Sequence, residues 1–195
     1  MSSKLQLELN ITEPQVREKV AEVQRRLCEI YGCPISYFSR KDPLSELVSA
    51  LLSHRTKNAA SGRAFKQLWA KFGSWEAVRD EDVALIERAI TPCTWPEQKA
   101  PRIKQVLQAV SDQCGRLSLD HLAELPVPEA RAWLEAISGV GPKTSAAVLS
   151  FSTLRRRALP VDSHHHRVAV RLGLIGETAA VGPSHPILEA QLPAD

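Results

Sequence analysis

Apolar residues recur along most of this chain at intervals of three and four, the spacing that lines up one face of an α-helix. In EPQVREKVAEVQRRLCEIYG, residues 13–32, Val16, Val20, Val23, Leu27 and Ile30 form a stripe between charged positions, and Gly32 supplies a stop. DPLSELVSALLS, 42–53, opens with Asp42 as a cap and Pro43 in the first helical position, and its apolar density predicts burial. SYFSRK between them reads as a linker. Further helices are predicted over 58–72, 74–78, 81–90, 97–113, 118–124, 128–136, 142–152 and 163–172, with Pro, Gly, Asp and Ser marking the starts. Pro101 is tolerable only in a first turn, where amide hydrogens lack intrahelical acceptors. Near the end, ILEAQL is again helical in character. β-Branched residues rarely alternate with polar ones, so the pattern predicts an all-α fold.

Composition narrows this picture. A chain of 195 residues with 44% hydrophobic content can build one large or two small cores. Lysine and arginine exceed the acids by a net +3, which permits a polyanionic partner without demanding one. MSSKLQLELN has no continuous apolar core and no run could span a bilayer, so no membrane partner and a cytoplasmic location are expected. Cys28, Cys33, Cys93 and Cys114 match no zinc or iron–sulfur spacing; reduced thiols are expected and no metal is assigned.

The candidate chemistry begins in LEAISGVGPKTSAAVL, residues 134–149. Leu134 and Ile137 before Gly139, Val140 and Gly141, with Ala146 after, have the spacing of a helix-hairpin-helix. Its glycines let two turns pack tightly and leave amide hydrogens outward, able to hold a DNA phosphate without a charged side chain. Gly139, Val140, Gly141 and Thr144 are therefore candidate DNA-binding positions. Lys143 follows in the first turn of the next helix, against the positive end of the macrodipole, where an ammonium gains nothing structurally. A chemical role is the alternative. In LPVDSHHHRVAVRLGL, Asp162 stands at a helix cap one helix and one link further on, from where its carboxylate could return to the hairpin. An amine beside a carboxylate can act as a nucleophile with a proton-accepting or electrostatic partner.

GVGPKTSAAV followed by LPVDSHHHRV resembles the helix-hairpin-helix DNA glycosylase superfamily, its endonuclease III branch in particular. LVSALLSHRTKN (47–58) and TWPEQKAPRI (94–103) are similar to other landmarks of that branch in the right order, so the resemblance covers roughly residues 15–190. It implies a two-lobed all-α fold: residues 1–38 as an N-terminal helix of the second lobe, 39–153 as a six-helix barrel with the hairpin at about 134–149, and 154–195 as the rest of an incomplete second lobe. It also implies that a monomer binds double-stranded DNA bearing a damaged base or abasic site and flips the nucleotide out. Lys143 would attack the sugar C1′, displace the base and form a Schiff base; β-elimination would then cut the strand. Asp162 would accept a proton and stabilise positive charge. Two loops fill the hole left by the flipped base; Arg55 stands where relatives usually carry Gln, and Trp95 where they carry a smaller apolar wedge. His164 matches a histidine beside the catalytic Asp with a backbone-phosphate role, whereas His165 and His166 read as surface or packing residues. The Arg155–Arg157 run reads as a solvated link that adds phosphate contacts.

Relatives usually hold a four-iron four-sulfur cluster on four cysteines after a further helical segment. This sequence ends at Asp195 with its cysteines elsewhere, so no cofactor is expected in it, a truncated member is the favoured reading, and part of the 13–32 apolar face would lack cover. The expected function is a bifunctional DNA glycosylase and abasic-site lyase of base excision repair acting on oxidised pyrimidines. The alternative is a non-catalytic helix-hairpin-helix DNA-binding module. Monofunctional adenine-removing relatives fit less well, because they generally lack a lysine at this position.

Overall fold

Side chains that accept from first-turn amides start several of the helices, and glycines in the left-handed region end others. The structure, a computed structural model, describes residues 13–33 and 41–192. The cytoplasmic reading drawn from MSSKLQLELN and most of the SYFSRK linker lie outside the described residues.

Helix α1 runs Glu13–Tyr31 and closes at Gly32, whose φ of 77° turns the chain back so that its amide donates to the Cys28 carbonyl at 2.8 Å. That reversal also brings Cys33 beside Cys28, and the two form a disulfide with Cα atoms 5.1 Å apart. The expectation of reduced thiols is thus corrected for this pair; Cys93 and Cys114 are free. Asp42 accepts from the Ser45 amide at 2.9 Å and opens α2, Pro43–Ser53, nearly all of which is buried as its apolar density required. Helix α3, Asn58–Phe72, ends at Gly73 with φ 73°. Ser74 caps α4, Trp75–Asp80, and Asp82 caps α5, Val83–Ala89. Helix α6 spans Pro96–Cys114, α7 Val127–Glu135, α8 Pro142–Phe151, α9 Ser163–Arg171 and α10 Val181–Ala190.

Three elements depart from the pattern. Residues 118–124 form only a short 3₁₀ turn, Asp120–Ala123, because Leu119 and Leu122 are the buried pair and a three-residue repeat puts both on one side. Pro101 sits in the second turn of α6, since Pro96 takes the first helical position. The bond to the Glu97 carbonyl is lost there, and burial of Ala100, Ile103, Val106 and Leu107 around it outweighs that loss. Helix α10 begins well before ILEAQL, where Ser184, His185 and Leu188 are buried.

The chain divides into two compact units, Met1–Phe38 with Leu159–Asp195, and Ser39–Ala158. In the smaller unit Val16, Val161, Ala169, Leu174, Ile175 and Leu188 form the core. The Leu159 amide donates to Glu189 Oε1 at 2.7 Å and its carbonyl lies 3.0 Å from His185 Nδ1, which ties the incoming chain to α10. On α1, Val16 and Val20 pack into this core while Leu27, Ile30 and Tyr31 are exposed. The larger unit packs α2 through α8 around one core. Residues 154–158 belong with it, because Ala158 is buried there and the Arg156 guanidinium donates to the Ala123 and Leu125 carbonyls at 2.7 and 2.9 Å. Arg156 is therefore a structural clamp within the arginine run. No helix among the described residues is long and apolar enough to cross a membrane.

Leu107 is completely buried in α6. Leu107→Ala is expected to lower unfolding stability by about 2–5 kcal/mol, through lost transfer energy and a residual cavity. Gln108→Ala, on the exposed side of the same helix, is expected to stay within about 1 kcal/mol. Denaturant unfolding of both variants checks this.

Candidate active site

Helix α2 packs along α8, and this contact carries the residues after α2 to the hairpin that precedes α8. Gly139 adopts φ 92°, a region open to glycine, and a Cβ there would stand 2.8 Å from Arg102 Nη1 and 3.2 Å from its Cδ. The hairpin therefore needs glycine for its backbone, and a Cβ would in addition displace the Arg102 side chain. The two arms are pinned by Ser145 Oγ, which donates to Glu135 Oε1 at 2.6 Å. Gly141 caps α8 with no side-chain oxygen over the first turn, and Pro142 follows in the first helical position. An anion can thus approach the helix N-terminus at backbone distance.

One of the hairpin candidates is corrected, and another has its side chain engaged within the unit. The Val140 amide donates to the Ile137 carbonyl at 3.0 Å and its side chain is buried, so this amide closes the turn instead of facing outward. Thr144 is only 2% exposed, and its Oγ1 lies 3.1 Å from His54 Nε2. Its side chain joins α8 to the end of α2 and is not itself exposed. Lys143, one residue earlier, is half-buried in the first turn.

A set of cations surrounds this turn. Burial holds the His54 pKa below its ordinary value, and the charges of Lys143, Lys99 and Arg102 push it the same way. Lys99 is itself buried, with its pKa lowered by desolvation. Sequence reasoning missed His54, Lys99 and Arg102. The signal that could have found one of them was a lysine next to Ala100 on the apolar side of α6.

Arg55 and Trp95 come together from separate loops. Both have left-handed backbones, φ 48° and 54°, and the Arg55 guanidinium carbon lies 5.7 Å from the Trp95 ring centroid. Trp95 is 43% exposed, which excludes an ordinary core aromatic. A cation over an indole face is an attractive pair, and both surfaces can stack on a base.

In the smaller unit, Asp162 caps α9: its Oδ1 accepts from the His164 and His165 amides at 3.0 and 2.8 Å. His164 is exposed, with Nδ1 3.2 Å from Arg167 Nη2. His165 Nδ1 lies 3.4 Å from the Pro160 carbonyl and His166 Nε2 2.6 Å from that of Ala179, as packing residues do. The larger unit thus gathers Lys143, the hairpin, Arg55 and Trp95, and the smaller one holds Asp162 with His164.

A family model described as "HhH-GPD superfamily base excision DNA repair protein" matches residues 48–192, which includes the hairpin, Lys143, Asp162 and both loops. The chain belongs to this superfamily. Among HhH-GPD relatives, a putative DNA glycosylase of Arabidopsis thaliana is 34% identical over 166 residues, covering 85% of this chain and 56% of that protein. Endonuclease III of Sulfolobus acidocaldarius is 27% identical over 166 residues, covering 84% of this chain and 70% of its own. The fold is similar to that of endonuclease III solved in a non-covalent complex with DNA, with a TM-score of 0.76 at 21% identity over 91% of this chain and 78% of that one. The chain therefore spans little more than half of the plant relative.

The thiols of this HhH-GPD chain do not fit an iron–sulfur cluster. Cys28 and Cys33 are bridged, Cys93 donates to the buried Leu52 carbonyl at 3.6 Å, and Cys114 lies 3.9 Å from His121 Nδ1. Among the described residues no three His, Cys, Asp or Glu side chains converge as metal ligands.

The lowered His54 pKa has a stability consequence. Between the folded value and the ordinary 6.5, the unfolded chain holds a proton that the folded chain does not, so stability falls as pH drops through that window. His121, pushed down by burial and then by Arg116, acts in the same direction. The thermal midpoint is expected to be lower at about pH 5.5 than at about pH 7.5. His54→Gln should shrink that difference; Glu46, whose carboxyl burial pushes up, acts in the opposite direction on the acid side.

Proposed function

We propose that this HhH-GPD chain is a bifunctional DNA glycosylase and abasic-site lyase of base excision repair. It acts as a monomer in the cytoplasm on duplex DNA, removing oxidised pyrimidines. The observation that carries this reading is a lysine in the first turn of α8, directly after a glycine-capped hairpin. Such a turn draws a backbone phosphate to within reach of the amine, and the amine is the nucleophile that a lyase requires.

In this mechanism the neutral Lys143 Nζ attacks the sugar C1′, and the damaged base leaves with the electrons of the glycosidic bond. Asp162 accepts the proton that the nitrogen sheds and stabilises positive charge on the sugar. Ring opening gives the Schiff base. Loss of a 2′ proton and departure of the 3′ phosphate then cut the strand, and water releases the enzyme. His164 contacts the DNA backbone, while Arg55 and Trp95 occupy the gap left by the flipped nucleotide. Relatives named endonuclease III and DNA glycosylase support the reaction class.

The test is borohydride trapping on a duplex with one abasic site. A covalent protein–DNA band is expected. No band, with duplex binding retained, would replace this reading with a helix-hairpin-helix module that only binds DNA.

A further inference from the structure

The turn after α2 and the turn before α6 are joined by one buried ammonium. Lys99 Nζ donates to the Leu52 carbonyl at 2.7 Å, to the His54 carbonyl at 2.8 Å and to Thr56 Oγ1 at 2.6 Å. All three donors of the ammonium are used, and two of them cover carbonyls that the end of α2 leaves without helical partners. Thr56 Oγ1 also accepts from the Thr94 amide at 3.1 Å, which hooks the second turn onto the same node. Arg55 lies inside the first turn and Trp95 directly follows Thr94 in the second. Each has a backbone conformation that non-glycine residues rarely adopt, so each needs its surroundings to hold it.

We propose that Lys99 is a positioning residue that, through Thr56, holds Arg55 and Trp95 together as one stacked wedge for the gap in the duplex. Neither side chain is clamped by the core, for both are exposed. Their alignment depends on the two turns keeping a fixed offset, which Lys99 with Thr56 sets beside the longer Cys93 Sγ bond to the Leu52 carbonyl at 3.6 Å. Lys99 itself, at 6% exposure, touches no DNA. This inference rests on the proposed gap-filling role of Arg55 and Trp95.

The test measures discrimination, the ratio of Kd for an undamaged duplex to Kd for one containing a tetrahydrofuran abasic-site analogue. The proteins are the full chain, Lys99→Met, Lys99→Arg, Thr56→Val and Arg55→Ala/Trp95→Ala, and thermal unfolding establishes that each is folded. Thr56→Val leaves both carbonyl bonds of Lys99 in place, and so tests the node if Lys99→Met does not fold. Lys99→Met and Thr56→Val are each expected to reduce discrimination about tenfold, with Lys99→Arg recovering part of the loss. In the Arg55→Ala/Trp95→Ala background, Thr56→Val should cause no further loss, because the residues it positions are gone; a purely structural role would give additive losses. Additive losses overturn the proposal, as does unchanged discrimination in Thr56→Val. Unchanged discrimination in Arg55→Ala/Trp95→Ala overturns it at its base, by removing the gap-filling role itself.

Discussion

Lys143→Gln is expected to abolish strand cleavage at an abasic site and the borohydride-trapped species, while duplex binding changes little. The expected loss in cleavage rate is about 10³-fold or more, because the proposed route has no second covalent nucleophile. Glutamine keeps most of the side-chain length and a similar helix propensity, so α8 should form unchanged. Stability is expected to rise slightly, by about 0.3–1 kcal/mol, since a positive charge leaves the positive end of the helix. Loss of activity with a gain in stability would mark a residue kept for chemistry. Single-turnover cleavage, filter binding and thermal unfolding on one preparation read all three quantities. Retained cleavage would remove Lys143 from the mechanism.

Asp162→Asn separates the capping role that the structure shows from the catalytic role proposed for the same carboxylate. Asparagine caps a helix as well as aspartate, and its amide oxygen can accept from the His164 and His165 amides in the same geometry. Unfolding stability is therefore expected to stay within about 0.5 kcal/mol. The proposed proton-accepting and charge-stabilising role would be lost, and the rate of base removal is expected to fall about 10²- to 10⁴-fold. Asp162→Ala removes both roles and adds a stability loss of about 1 kcal/mol. An asparagine variant of full activity beside an impaired alanine variant would reduce Asp162 to a cap. Base removal measured under single-turnover conditions, with denaturant unfolding alongside, distinguishes these results.

Much of the fold was legible because its signals are local. Asp42, Ser74 and Asp82 each satisfy an amide two or three residues ahead, and Gly32 and Gly73 end their helices by their own φ. Such rules act within one turn of chain and need no partner from elsewhere. The hairpin was legible for the same reason. Where the pattern misled, a distant contact outweighed it: α6 tolerates Pro101 because its neighbours are buried, and Arg156 is held by carbonyls some thirty residues earlier.

The site divides along the same line. Composition and spacing alone determined that the chain is helical, that its glycines at 139 and 141 build a turn, and that a lysine follows them at a helix start. Only the tertiary structure decided which polar groups around that turn are spoken for. Thr144 faces His54 across ninety residues of sequence, Val140 spends its amide inside the turn, and Lys99 reaches back 43 to 47 residues to hold the turn after α2. Helix starts and turns depend on neighbours along the chain, whereas the partner and burial of a side chain depend on which elements pack together, and that is settled only when the core forms.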